Sequence, residues 1–116
     1  MINPKSFYFA FKGLLDLFSG RHKNAVVHLI AVFVVSVSGF YFKINYLEWC
    51  IVILCFVLVI ALEAINSAIE YLTDLASPDF HPLAGKAKDM AAGAVLIAAI
   101  GSVVIAFVIF FPKIFS

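Results

Sequence analysis

The stretch WCIVILCFVLVIALEAINSAIEYLTD, Trp49 to Asp74, decides the fold: fourteen apolar residues, Trp49 to Leu62, run without a break into a segment carrying Glu63, Asn66, Glu70 and Asp74. No Gly or Pro interrupts the chain from Glu48 to Ala76, so one helix spans it, about 43 Å long at about 1.5 Å per residue. A hydrocarbon core of about 30 Å needs only about 20 residues. The last three turns, with their acids, therefore project toward the membrane interface.

The rest of the chain agrees. Of 116 residues, 65% are hydrophobic and 13% charged, with a mean hydropathy of +1.11, which excludes an ordinary soluble domain. Further apolar runs cover Ala25 to Phe42 and Ala91 to Phe111, and mixed residues precede the first without a small-residue cleavage site after it, so it is expected to stay in the protein. Phe7, Phe11, Leu14, Leu15 and Phe18 recur at helical spacing opposite Lys5, Lys12 and Asp16, the pattern of a helix lying along the membrane surface. Cys50 and Cys55 sit inside the second run and are expected to be buried packing residues rather than a disulfide or metal motif.

The expected fold is all-α: one integral membrane domain over residues 1–116, with a surface helix at 4–19 and helices at about 25–42, 47–76 and 83–111 that include three spans. Lys5, Lys12, Arg21, Lys23, Lys86 and Lys88 flank one side of these spans, and only Lys43 and Lys113 the other. The positive-inside rule then puts the N-terminus and the loop before the third span in the cytoplasm. SPDFHPLAG, Ser77 to Gly85, breaks the long helix, and Ala91, Ala94, Ala98 and Gly101 give the next one a face that neighbouring helices can approach closely.

At about 100° per residue, Glu63, Asn66, Glu70 and Asp74 lie within roughly 80° of one another on their helix. Acids at the edge of the hydrocarbon normally face a bundle interior or a wet cavity and need a counter-charge; Lys86, Lys88 and a divalent cation are the candidates. Structural ion pairing with Lys88, a solvated helix end, a proton or cation pathway, and chemistry on a polyanion held by a metal all fit this spacing. The solvated end suits Asp74 and not Glu63, which directly follows the apolar run. Hard carboxylate oxygens suit magnesium, and Lys88 with Asp89 at the start of the third helix suits a phosphate.

EAINSAIEYLTD, followed after a short loop by HPLAGKAKDMAAGAVLIA, closely resembles the signature of the prokaryotic diacylglycerol kinase family, which includes undecaprenol kinases. The resemblance covers essentially the whole chain. It implies a homotrimer of three-span subunits in the cell inner membrane that transfers the γ-phosphoryl group of ATP to a lipid hydroxyl at the cytoplasmic interface, with Mg2+ as cofactor and no nucleic-acid partner. By the same resemblance Glu63 orients or deprotonates the acceptor, Glu70 binds magnesium, and Asn66 and Asp74 shape the nucleotide site with Lys88 and Asp89. Lys12 and Gly13 match a KG pair of the family's surface helix. Diacylglycerol is the first acceptor and undecaprenol the alternative, because AAGAV after AKDM is similar to undecaprenol-type members. From other classes, a small ion transporter or a silent scaffold stays open.

One departure stands out. The family's second metal-binding Glu lies in a pattern like ERNFRIHL, whereas this chain reads GRHKNAVVHL from Gly20 to Leu29. Alignment on Asn24 and His28 places His22 there, or Arg21 with a one-residue shift. His22 is thus a candidate metal ligand, against its reading as an interfacial His beside Arg21 and Lys23. His28 is expected to hydrogen-bond to a neighbouring helix.

Overall fold

A computed structural model describes residues 3–116; positions 1 and 2 of the expected domain lie outside it. Among the described residues there are four helices and no strands: α1 Pro4–Leu17, α2 Lys23–Tyr41, α3 Tyr46–Ala76 and α4 Pro82–Ile114. The last three are long and apolar enough to cross a membrane, so the chain is an all-α integral membrane protein.

Local chemistry sets each boundary. Asn3 caps α1, its side chain accepting from the Ser6 N–H at 3.0 Å, with Pro4 supplying a preset φ in the first turn. Gly20 turns the chain toward α2 with φ +98°, a left-handed conformation that suits Gly. At the other end of α2, Lys43 adopts φ 52°, the Ile44 N–H reaches back to the Gly39 carbonyl at 3.1 Å, and the Lys43 N–H to the Phe40 carbonyl. This is a Schellman closure. Asn45 and Glu48 then form a reciprocal capping box that starts α3.

α3 is the central element: α4 packs along it as its hairpin partner, α2 touches it less, and α1 touches it only near the acidic end. Most apolar side chains of the spans face outward, as is stable in lipid, where exposure of Leu or Phe carries no penalty and association rests on close packing. The compact apolar core lies at the end away from the acids, where Ile44, Val52, Ile109 and Phe110 are buried against Phe42, Trp49 and Phe56. Lys113 of α4 ion-pairs with Glu48 of α3 at 3.2 Å beside it. Ala98 is buried on α4, while Gly101, expected on the same small-residue face, is exposed with open space beside it.

Cys50 corrects the expectation of a buried thiol. It is exposed, and Cys55 is only partly buried. Val52 and Val59 define the inward face of α3, and Cys50 lies about 200° around the helix from Val52.

Gly39 is where α2 meets Trp49. A Cβ there would lie 2.6 and 2.8 Å from the Trp49 ring and 3.2 Å from Ile44 Cδ1. Gly39→Val is therefore expected to destabilise the protein by about 2 kcal/mol through overpacking, measured as thermal unfolding in detergent. Adding Trp49→Ala should recover part of that loss. An unchanged unfolding midpoint in Gly39→Val would show that Trp49 does not close on α2.

Candidate functional site

The polar residues of α3 form a stripe graded in burial. Glu63 and Asn66 are each 3% exposed, Ser67 is also buried, Glu70 is half-buried, and Asp74 is exposed. One helix thus carries its acids from the protein interior out to the interface.

Glu63 is the anomalous member. Its Oε2 is buried without a hydrogen-bond partner, and His28 of α2 faces it with Nε2 at 3.7 Å. Asn66 donates through Nδ2 to Glu70 Oε1 at 3.3 Å, while its own Oδ1 is buried and unpaired. Two orphan acceptors one turn apart are costly unless something supplies a donor or a positive charge. Beside them lies an apolar cleft of about 280 Å³ between α2, α3 and α4, walled by Val59, Ile60, Val35 and Ser102 and reaching His28.

At the interface, Lys88 of α4 ion-pairs with Asp74 at 2.5 Å, bringing together the two ends of the nucleotide-binding set expected from sequence. Asp89 is exposed and makes no hydrogen bond or ion pair with the described residues. His81, to which the sequence assigns no role, is the N-cap of α4 and accepts from the Leu83 N–H at 3.1 Å.

His22 goes elsewhere. Its Nε2 lies 3.1 Å from the Tyr71 hydroxyl and 3.5 Å from Asp16 Oδ2, and Tyr71 donates to that same Asp16 oxygen at 2.7 Å. Arg21 approaches the other Asp16 oxygen at 3.6 Å. The Tyr71 hydroxyl, with His22 and Arg21 behind it, holds the Asp16 carboxyl below its usual pKa against partial desolvation. His22 is thus held by α1 and α3 through Asp16 and Tyr71, and it shares a cavity with Ser67 of the stripe.

Magnesium binding can be tested on the donor set. Glu63 Oε2, Asn66 Oδ1 and the Glu70 carboxylate are hard oxygen acceptors, two of them unpaired and buried. Among the described residues no three His, Cys, Asp or Glu side chains converge on one point. That combination fits an ion taken up with substrate phosphates on one or two carboxylates, the usual habit of magnesium. It does not fit a closed protein cage.

The comparisons place the chain. The family described as prokaryotic diacylglycerol kinase matches residues 8–110. An undecaprenol kinase of Bacillus subtilis (strain 168) is 38% identical over 109 residues, 94% of this chain and 88% of that protein. A diacylglycerol kinase of Helicobacter pylori (strain J99) is 36% identical over 93 residues, 80% of this chain and 72% of the relative. One of Escherichia coli (strain K12) is 36% identical over 75 residues, 65% of this chain and 62% of the relative. The chain is a membrane protein of the lipid kinase class, and it belongs to the prokaryotic diacylglycerol kinase family.

Sequence reasoning missed Asp16, Tyr71 and Ser67 as parts of this region. Asp16 reads as one polar residue on the face of a surface helix opposite its apolar side, and nothing in the spacing singles out Tyr71. Only the fold brings them together.

Proposed function

We propose that this chain transfers the γ-phosphoryl group of ATP to the hydroxyl of a membrane lipid, with diacylglycerol as first acceptor, at the cytoplasmic face of the cell inner membrane. The observation that carries the reading is Glu63: a buried carboxylate with an unpaired oxygen, beside an apolar cleft and at the head of a polar stripe that ends at Lys88.

The lipid's tail lies in the bilayer and its hydroxyl meets Glu63. That carboxylate accepts the hydroxyl proton as the oxygen forms its bond to the γ-phosphorus and the bond to the β-phosphate oxygen breaks. Glu70, with Asn66 bonded to it, would hold magnesium, which supplies neutralisation of phosphate charge when bound. Lys88 provides a cation for the phosphates, and Asp74 holds that side chain at the start of α4; Asp89 completes the polar edge. Because transfer through a loose transition state needs mainly alignment and charge neutralisation, so small a bundle suffices. The working unit is a homotrimer, and the N-terminus and the loop between α3 and α4 are cytoplasmic.

Undecaprenol is the second acceptor, favoured by the long match to a relative named undecaprenol kinase. Purified protein in mixed micelles with labelled ATP and magnesium is expected to label a lipid in a panel of diacylglycerol, undecaprenol and ceramide. Label on the polyprenol alone would select the second reading. No label on any lipid, from folded protein, would overturn the proposal.

A further inference from the structure

The cluster of Asp16, His22 and Tyr71 takes no part in the chemistry just described, yet it joins three elements of the fold at one point. Asp16 is in the last turn of α1, His22 caps α2, and Tyr71 lies one turn beyond Ser67 on α3. Tyr71 has one hydroxyl hydrogen and gives it to Asp16 Oδ2 at 2.7 Å. Its oxygen is then an acceptor only, so the contact at 3.1 Å requires His22 Nε2 to carry a hydrogen and donate it. The ring edges meet at 90° with centroids 5.6 Å apart, so the contact is also well packed.

Little else holds α1 in place. Its Phe7, Tyr8, Phe9, Phe11 and Leu15 face outward, and Leu17 is its buried residue. Beneath it is a cavity of about 280 Å³ whose α1 wall includes Ala10, Gly13 and Leu17 and whose α3 wall includes Ala64, Ser67 and Ala68. Ser67 lies one turn beyond Glu63 on the same face of α3. The helix therefore roofs a space that reaches the neighbourhood of the proposed base, and Asp16, His22 and Tyr71 line its edge.

We propose that Asp16, Tyr71 and His22 form a latch that fixes α1 over this cavity, acting as positioning residues that set how readily the acceptor lipid reaches Glu63. The lipid part of this inference rests on the kinase reading above; the latch does not.

Two measurements separate them. In a Cys50→Ala, Cys55→Ala background, spin labels at Phe9→Cys and Leu75→Cys, both exposed positions, report the spacing of α1 and α3 in nanodiscs. A narrow distance distribution is expected, broadened by Tyr71→Phe and by Asp16→Leu. Asp16→Asn, which keeps an oxygen for the Tyr71 hydroxyl, should retain most of the order. A distribution as narrow in Tyr71→Phe as in its parent would overturn the latch.

In the lipid phosphorylation assay, Tyr71→Phe should raise the KM for the lipid by about threefold to tenfold, the range of one net intramolecular hydrogen bond at a solvent-exposed site. The KM for ATP and kcat at saturating lipid should hold. A fall in kcat with unchanged lipid KM would assign the cluster to the chemical step and reject the positioning role. If the parent protein labels no lipid, the kinase reading fails by itself, and the spin-label distances still decide whether the latch exists.

Discussion

Glu63→Gln is expected to lower phosphoryl transfer to lipid by about two to four orders of magnitude, the usual contribution of a positioned general base, without lowering the stability of the folded protein. The two halves of that outcome come from the same geometry. Glu63 is 3% exposed and its Oε2 has no hydrogen-bond partner, with His28 Nε2 at 3.7 Å. A carboxylate held that way costs folding free energy; a neutral amide of the same shape costs less and cannot take the acceptor's proton. Functional sites often carry such an imbalance. The check is a transfer assay run beside thermal unfolding of the same preparations. Full activity in the variant would remove Glu63 from the chemistry. Loss of activity together with a lowered unfolding midpoint would make it a structural residue.

The second large effect is expected at Glu70. Glu70→Gln should reduce magnesium-dependent turnover by about two to three orders of magnitude, in line with the loss of a charge-stabilising group at a reacting centre, and should shift the magnesium dependence of the residual rate to higher concentration. Asn66 donates to Glu70 Oε1 at 3.3 Å, and the Gln side chain keeps an oxygen for that bond. Assembly and stability should therefore change little. Titration of rate against magnesium at saturating ATP and lipid makes the test. Parent-like turnover at a parent-like magnesium requirement would place the metal elsewhere.

How much of this was legible in the sequence depends on distance along the chain. The membrane spans and the stripe on α3 are local: the first needs only a long apolar run, the second only the helical period applied to Glu63, Asn66, Glu70 and Asp74. The breaks at Gly20 and in SPDFHPLAG mark ends of helices because their residues act on their own backbone. Cys50 shows the limit of local reading, since an apolar run in a membrane helix looks the same on its packed and its lipid-facing sides. Pairings across helices were accessible only as alternatives. Lys88 was one of several possible counter-charges to the stripe, and the fold gives it to Asp74. Nothing in the spacing joins Asp16 to Tyr71, because that contact depends on where a surface helix comes to rest against a span. His22 illustrates the same point: the alignment puts it at a metal-ligand position, and the fold surrounds it with a carboxylate and a phenol.

The aromatic core and the Lys113–Glu48 ion pair close one end of the bundle. Trp49, Phe42 and Phe110 interlock there, whereas the acidic end, where the turn between α3 and α4 lies, adds exchangeable polar contacts such as Lys88 to Asp74 and Tyr71 to Asp16. Those contacts can exchange partners with phosphate or water at small cost, whereas interlocked rings cannot. The acidic end is therefore where side-chain partners can change while the helices stay in place.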